Sequence, residues 1–103
     1  MKITVKNKEF DSGKLLRSKY KKYTDIKESL MDVNKETYTD DDLDKMVSAI
    51  VKLFDNQFTE DDINDEFEIS DIIFNFMRIE LEIAEKLNEK IEKTNTLFMI
   101  EKK

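Results

Sequence analysis

Residues 38–67, YTDDDLDKMVSAIVKLFDNQFTEDDINDEF, contain the same helix-start pattern twice. In each copy an aromatic residue precedes a Thr, three acidic residues follow, and an aliphatic residue comes next, as in Tyr38-Thr39 with Leu43 and Phe58-Thr59 with Ile63. The Thr hydroxyl can accept a hydrogen bond from the first helical turn, and the carboxylates favour the positive end of the helix dipole. The aromatic and aliphatic residues have the spacing of a hydrophobic staple. The stretch therefore predicts a helix, a tight reversal and a second helix start.

The strongest apolar periodicity in the chain follows the first of these two Thr residues. It predicts a helix from Asp40 to about Phe54 whose apolar side chains recur every three or four residues and form the centre of the core: Leu43, Met46, Val47, Ile50, Val51 and Phe54. Asn56 is the expected left-handed residue after this helix. The second Thr predicts a short helix from Glu60 to about Phe67.

The remaining elements are predicted from weaker patterns. Alternation of apolar and polar residues predicts a strand over residues 2–6, with a turn at Asn7-Lys8 and a return strand beginning at Glu9. Ser12 is a plausible cap for a helix over residues 14–31, which Thr24 could divide into two. A long apolar stripe predicts a helix over residues 71–93, capped by Ser70 and interrupted at residues 94–96.

These elements define a mainly α fold: a small helical domain of about four helices with a short N-terminal β-strand or hairpin. The chain of 103 residues is long enough for one domain over residues 1–103 and too short for two. Residues 94–103 form either a flexible tail or a partner-binding tail. The long last helix overhangs a core of this size, and its last turns are candidates for pairing with another subunit.

Composition argues against catalysis. The chain has no Cys, no His and a single Gly, so thiol chemistry, the commonest general base and a Gly-rich phosphate loop are all missing. A calcium loop read from Asp32 fails, because Thr37 stands where a tight-turn Gly is needed and Leu43 where a bidentate carboxylate is needed. We expect no enzyme activity, no cofactor and no metal site. No apolar run approaches ~20 residues, so no membrane span or signal peptide is expected.

The net charge of −6 hides an asymmetry along the chain. Residues 1–31 carry nine basic and four acidic residues, whereas residues 32–80 carry four basic and fifteen acidic residues. The two regions therefore attract each other or attract different partners. Because nucleic-acid binders are more usually basic, no nucleic-acid partner is expected.

Three motifs resemble phage tail assembly chaperones of long-tailed phages, the small proteins encoded just ahead of the tape-measure protein. The first is the opening MKITVKNKEF of residues 1–10, and the second is DLDKMV of residues 42–47. The third and most specific is VKLFDNQFTEDDIND of residues 51–65. The likeness covers about residues 1–80 and departs at Glu66-Phe67, where the family tends to have Gly.

The resemblance implies a mostly helical protein that coats the tape-measure protein and keeps it soluble while tail-tube subunits polymerise around it. It implies the host cytoplasm as the location, absence from the finished virion and, in many members, a longer frameshifted product. The tail-tube protein is a second candidate partner, and self-association stays open. The candidate contact surface combines a corner in the middle of the chain with a C-terminal apolar cluster: Phe54, Phe58, Ile63, Phe67, Leu97, Phe98, Met99 and Ile100.

Several alternatives remain open at this point, and one of them is a structural tail protein or a regulatory subunit without chaperone activity. The aromatic residues of the corner could simply close the core. The cluster at residues 97–100 could dock on its own domain instead of contacting a partner. The acidic segment over residues 32–80 suggests a different class of protein, a phage-encoded inhibitor that mimics nucleic acid, whose binding to a basic partner would be salt-sensitive.

Overall fold

The structure, a computed structural model, describes residues 1–31 and 38–101, with the backbone alone described for Met31 and residues 95–101. Within these ranges it contains an N-terminal hairpin and four helices, the mainly α fold that the sequence predicted. In chain order the elements are β1 (Lys2–Val5), β2 (Lys8–Asp11), α1 (Arg17–Met31), α2 (Asp40–Leu53), α3 (Glu60–Glu66) and α4 (Ile69–Glu101). The residues predicted to connect α1 and α2, 32–37, lie outside the described residues.

The hairpin is antiparallel and places Ile3 opposite Phe10. Its turn is formed by Lys6 and Asn7, whose φ angles of 51° and 64° are both positive, as a two-residue type I′ turn requires. The turn predicted at Asn7-Lys8 was therefore wrong by one residue. Ile3 and Val5 are buried and attach the hairpin to the helices. This packing supplies the stability that an isolated hairpin lacks.

Helix α2 is the centre of the core, as its periodicity predicted. It packs against α1, α3 and α4, and Met46, Val47 and Ile50 are each at most 1% exposed. Full burial of such aliphatic side chains stabilises the fold by about 1.5–3 kcal/mol each. The helix ends one residue earlier than predicted, and Phe54 becomes its buried cap.

Both Thr caps are confirmed, and each forms a reciprocal capping box. The Thr39 hydroxyl accepts from the Asp42 amide at 3.2 Å, and the Asp42 carboxylate accepts from the Thr39 amide at 2.9 Å. Thr59 and Asp62 repeat the arrangement at 3.1 and 2.9 Å. Two orphan N–H groups are thereby satisfied at each helix start.

The reversal between α2 and α3 uses two left-handed residues. Asn56 has a φ of 59°, as predicted, and Asp55 before it has a φ of 55°. Polar Asn and Asp tolerate this conformation better than other residues with a Cβ atom. The chain therefore reverses there without a glycine.

Helix α1 begins at Arg17, three residues later than predicted, because Ser12 does not act as its cap. The buried Ser12 hydroxyl accepts from the N-terminal ammonium of Met1 and donates to the Gly13 carbonyl, both at 3.1 Å. Thr24 does not divide the helix, since its hydroxyl donates to the carbonyl of Tyr20 one turn earlier at 2.9 Å.

Helix α4 is longer than predicted at both ends. It begins at Ile69, where the Asp71 carboxylate accepts from the Glu68 amide at 3.1 Å, so Ser70 is not the cap. It also continues through Thr94, whose hydroxyl donates to the Lys90 carbonyl at 2.9 Å and so remains compatible with helix. With 33 residues the helix is ~50 Å long. It accounts for most of the 56 Å length of the molecule.

Candidate partner-binding surfaces

The corner predicted to contact a partner lies mostly in the core. Phe54 and Ile63 are 0% exposed and Phe58 is 5% exposed. The Phe58 ring lies 5.4 Å from that of Phe54 and 5.1 Å from that of Phe10. The reversal at Asp55-Asn56 folds the segment back on α2, so these aromatic residues close the core in this conformation.

Phe67 alone among these corner residues offers surface. It caps α3, is half-buried, and lines a mixed groove with Phe74 between β1 and the start of α4. Arg78 crosses that groove and donates to the Lys2 carbonyl at 2.6 Å. Because Lys2 points its carbonyl away from β2, Arg78 occupies part of the free edge of the hairpin and ties it to α4.

The C-terminal candidates lie in the last turns of α4. Leu97, Phe98, Met99 and Ile100 belong to its helical backbone, and their side chains lie outside the described residues. Their role in binding stays a prediction. From Ala84 to Thr94 every side chain is exposed, so this part of α4 projects beyond the core.

Helix α4 has apolar residues on two opposite faces. One face packs into the domain through Ile72, Phe76, Ile79 and the half-buried Ile83. On the other face Phe74, Met77 and Leu81 are 57%, 49% and 56% exposed. The sequence pattern had indicated one long apolar stripe on this helix. The division into a covered face and an open face could not be predicted, because it depends on where the other helices pack.

An apolar groove with a basic rim lies where α4 leaves the core. Its floor contains Leu15, Leu16, Ile83 and Leu87, and its volume is about 500 Å³. No carboxylate of the described residues lines the groove. The rest of its lining consists of three lysines: Lys14, Lys86 and Lys90. The groove therefore combines apolar contact area with positive charge. It suits an amphipathic segment that has acidic residues beside its apolar face.

Ion pairs within the fold neutralise part of the charge asymmetry along the sequence. Among the described residues, three basic residues of the first third pair with acidic residues from the later part of the chain. Lys6 meets Asp62 at 2.8 Å, Lys19 meets Asp55 at 2.9 Å, and Lys27 meets Glu80 at 2.6 Å. The two regions thus attract each other, one of the two outcomes that their charges predicted.

Three titratable groups at or near these ion pairs have shifted pKa values. The hydrogen bond from the Lys6 ammonium, together with hydrogen bonds from Thr59, lowers the pKa of the Asp62 carboxyl to about 2. The same bond raises the pKa of Lys6. Burial raises the pKa of the Tyr23 hydroxyl well above its usual range, and the nearby Glu80 carboxylate adds to the effect. Asp62 therefore serves the cap of α3 and the attachment of the hairpin turn at once.

Among the described residues, no group of three or more His, Cys, Asp or Glu side chains is placed to hold a metal ion. None of the helices in the described ranges is both long and apolar enough to cross a membrane. The described residues do present an open apolar face on α4 and an apolar groove with a basic rim. A small helical protein with exposed apolar faces on its longest helix is suited to contact with another protein.

Comparison with known proteins places this small helical chain in a family. A family described as phage tail chaperone protein matches residues 1–97, nearly the whole chain. No curated protein and no solved structure matches. The chain belongs to the phage tail chaperone family, which confirms the resemblance carried by its motifs. Membership implies a phage tail protein as partner and favours binding over catalysis.

Proposed function

We propose that this protein binds the tape-measure protein of a long-tailed phage and keeps it soluble during assembly of the tail tube. A tape-measure protein is a long amphipathic helix that would aggregate alone. A small chain with a net charge of −6 could cover its apolar face and remain in solution. This work would take place in the cytoplasm of the infected host, and the chaperone would be absent from the finished virion.

The observation that carries the proposal is the projection of α4 beyond its domain. The basic-rimmed groove begins at Leu16 and Leu87, where α4 leaves the core. It is followed along the same helix by the turns that contain residues 97–100. We place the tape-measure helix along this path, with its acidic residues beside Lys14 and Lys90. Phe67 is a second candidate contact, and its buried neighbours in the corner become available only if α3 moves.

Co-expression with the tape-measure protein tests this assignment. The wild-type chain should keep the tape-measure protein in the soluble fraction and co-purify with it. Leu16→Glu combined with Leu87→Glu places two carboxylates in the groove and should abolish both effects. The matched control is Ile69→Glu, which adds charge at a residue that is 62% exposed at the other end of α4 and should behave as wild type.

Salt dependence separates this function from the acidic inhibitor. Exposed carboxylates at the starts of α2 and α3, such as Asp41 and Glu60, are the observation that favours the inhibitor. A complex held by those carboxylates should dissociate in molar salt, whereas contact through the apolar groove should persist. Loss of the complex in molar salt, with full activity of the groove variant, would contradict the chaperone assignment.

A longer frameshifted product is a further part of the proposal. Glu101-Lys102-Lys103 can be encoded by a run of adenines on which a ribosome could slip. Reading the nucleotides at this point and searching infected cells by mass spectrometry for an extended product tests it. If there is no slippery run and no extended product, the frameshift is wrong, while binding of the tape-measure protein is tested separately by the co-expression experiment.

A further inference from the structure

The open face of α4 has the spacing of a coiled-coil seam. Its residues are separated alternately by three and four positions along the helix, from the first turns to the projecting part: Phe74, Met77, Leu81, Ala84, Asn88 and Ile91. We call this set the outer seam. Every member is exposed, and Ile91 is still 46% exposed at the far end. Helices that form coiled coils show this alternation, because their side chains pack into the gaps between side chains of the partner helix.

The outer seam is free to meet a second helix without disturbing the domain. At 3.6 residues per turn it lies about 150° around α4 from the face that enters the core. Ile79 on the core face is 0% exposed, while Leu81, two residues later, is 56% exposed. A helix that covered the outer seam would therefore leave the contacts of α4 with α2 unchanged.

We propose that the outer seam pairs with the outer seam of a second copy of this chain, the two α4 helices running antiparallel about a two-fold axis. In this register Phe74 of one copy meets Ile91 of the other. Leu81 meets Ala84, so a large side chain faces a small one at the centre. Met77 meets Asn88 in the layer between them. The two-fold symmetry forms each of these layers twice.

Charges beside the seam select the antiparallel arrangement. Antiparallel pairing places Arg78 of each copy beside Glu85 of the other, which gives two attractive pairs near the centre. Arg78 keeps its bonds to Lys2 and Asn75 and its 3.6 Å pair with Glu82, while part of its side chain faces solvent.

Parallel pairing would place Glu80 of each copy beside Glu85 of the other, which gives like charges and no compensating pair. Antiparallel pairing has one unfavourable feature as well. Asp71 faces Glu92 of the second copy at each outer end, where solvent screens the repulsion. The attractive pairs lie near the centre and the repulsive pairs at the ends, so the antiparallel arrangement is favoured.

Sedimentation of the full chain alone tests the dimer. The wild type should change from monomer to dimer as concentration rises from micromolar to sub-millimolar. Leu81→Glu should raise the dimer dissociation constant by about tenfold or more, because it places two carboxylates at the two-fold axis. The matched control, Leu16→Glu, alters a side chain of similar exposure (54%) away from the outer seam and should leave the dissociation constant unchanged.

Cysteine cross-linking tests the orientation, since the chain contains no cysteine of its own. Met77→Cys and Asn88→Cys are prepared separately and then mixed under mild oxidation. Antiparallel pairing predicts that the mixed disulfide forms at least several times faster than either homodimer. Parallel pairing would reverse this preference, because each residue would then face its own copy.

Each outcome decides for or against the pairing. A wild type that is monomeric throughout, a dimer equally sensitive to Leu16→Glu, or a preference for homodimer disulfides would overturn it. A monomeric wild type whose outer seam binds an amphipathic peptide helix would assign the seam to a foreign partner. The tape-measure protein takes no part in these experiments, so their result is independent of the proposed chaperone function.

Discussion

Helices α2 and α4 carry similar apolar patterns and use them differently. Helix α2 is enclosed by α1, α3 and α4, and Val47, Ile50 and Val51 are all buried. Helix α4 packs on α2 along one face only, and beyond Ile83 none of its described side chains is even half-buried. Apolar residues at helical spacing thus form a core in one helix and, on the open face of the other, a surface that another chain can cover. The two helices differ in how many other elements pack against them, and a periodic sequence pattern does not carry that information.

The largest expected effect is a difference in stability between substitutions on the two faces of α4. Ile79→Ala should lower the free energy of unfolding by about 2–5 kcal/mol, because it leaves a cavity in the core. Leu81→Ala, two residues away on the open face, should change it by less than about 0.5 kcal/mol in the monomer. Urea denaturation at concentrations where the chain is monomeric measures both values. Similar losses for the two variants would mean that the two faces do not differ in burial.

The next effect concerns the helix starts. Thr39→Ala and Thr59→Ala each remove a cap and should lower the free energy of unfolding by about 1 kcal/mol. Thr94→Ala is the matched control, because Thr94 lies within α4 and Ala is the better helix former there. It should be neutral or slightly stabilising in the same denaturation experiment. If Thr94→Ala costs as much as the other two, loss of a cap is not the cause.

A smaller effect depends on pH. The pKa of Asp62 is about 2 in the folded chain and lies below its ordinary value of 3.8 in the unfolded chain. Its contribution to stability is therefore fully present above pH 3.8 and is lost as the pH falls through 2. Asp62→Asn should flatten the fall in stability over this range, measured by denaturation at successive pH values.

A substitution of Lys6 in the hairpin turn is the control for this pH dependence. Lys6→Met removes the ammonium partner and keeps the Thr59 cap, so the pKa of Asp62 should rise part of the way towards 3.8. NMR titration of the carboxyl group measures the value directly. An unchanged pKa in this variant would show that Lys6 is not the main cause of the shift.

Local chemistry made much of the fold predictable. The Thr caps, the left-handed Asn56 and the apolar periodicity of α2 all depend on residues within one or two turns of each other. Boundaries were less accurate where a distant residue decides them. Ser12 looked like a helix cap but binds the N-terminal ammonium of Met1. The extension of α4 through residues 94–96 was also missed.

The candidate site was harder to predict because exposure is a property of the assembled fold. Phe54, Phe58 and Ile63 were interpreted as a contact surface, and the reversal after α2 turns them into the core. The members of the outer seam, such as Phe74 and Leu81, were not selected, although their spacing is present in the sequence. Two apolar stripes on one helix were the available signal. Which stripe stays open is decided by the packing of α1 and α2.

The smallest expected effect comes from removing the projecting part of α4. In a chain that ends at Lys86, all of the lost side chains that the structure describes are exposed ones. Its free energy of unfolding should therefore stay within about 0.5–1 kcal/mol of wild type. A chain that ends at Glu82 also loses the half-buried Ile83 and should be clearly less stable. Denaturation of both truncated chains, each as a monomer, gives the comparison. A loss of several kcal/mol already at Lys86 would mean that residues 97–100 pack back on the domain, and the projecting helix would then be part of the core and not a surface for partners.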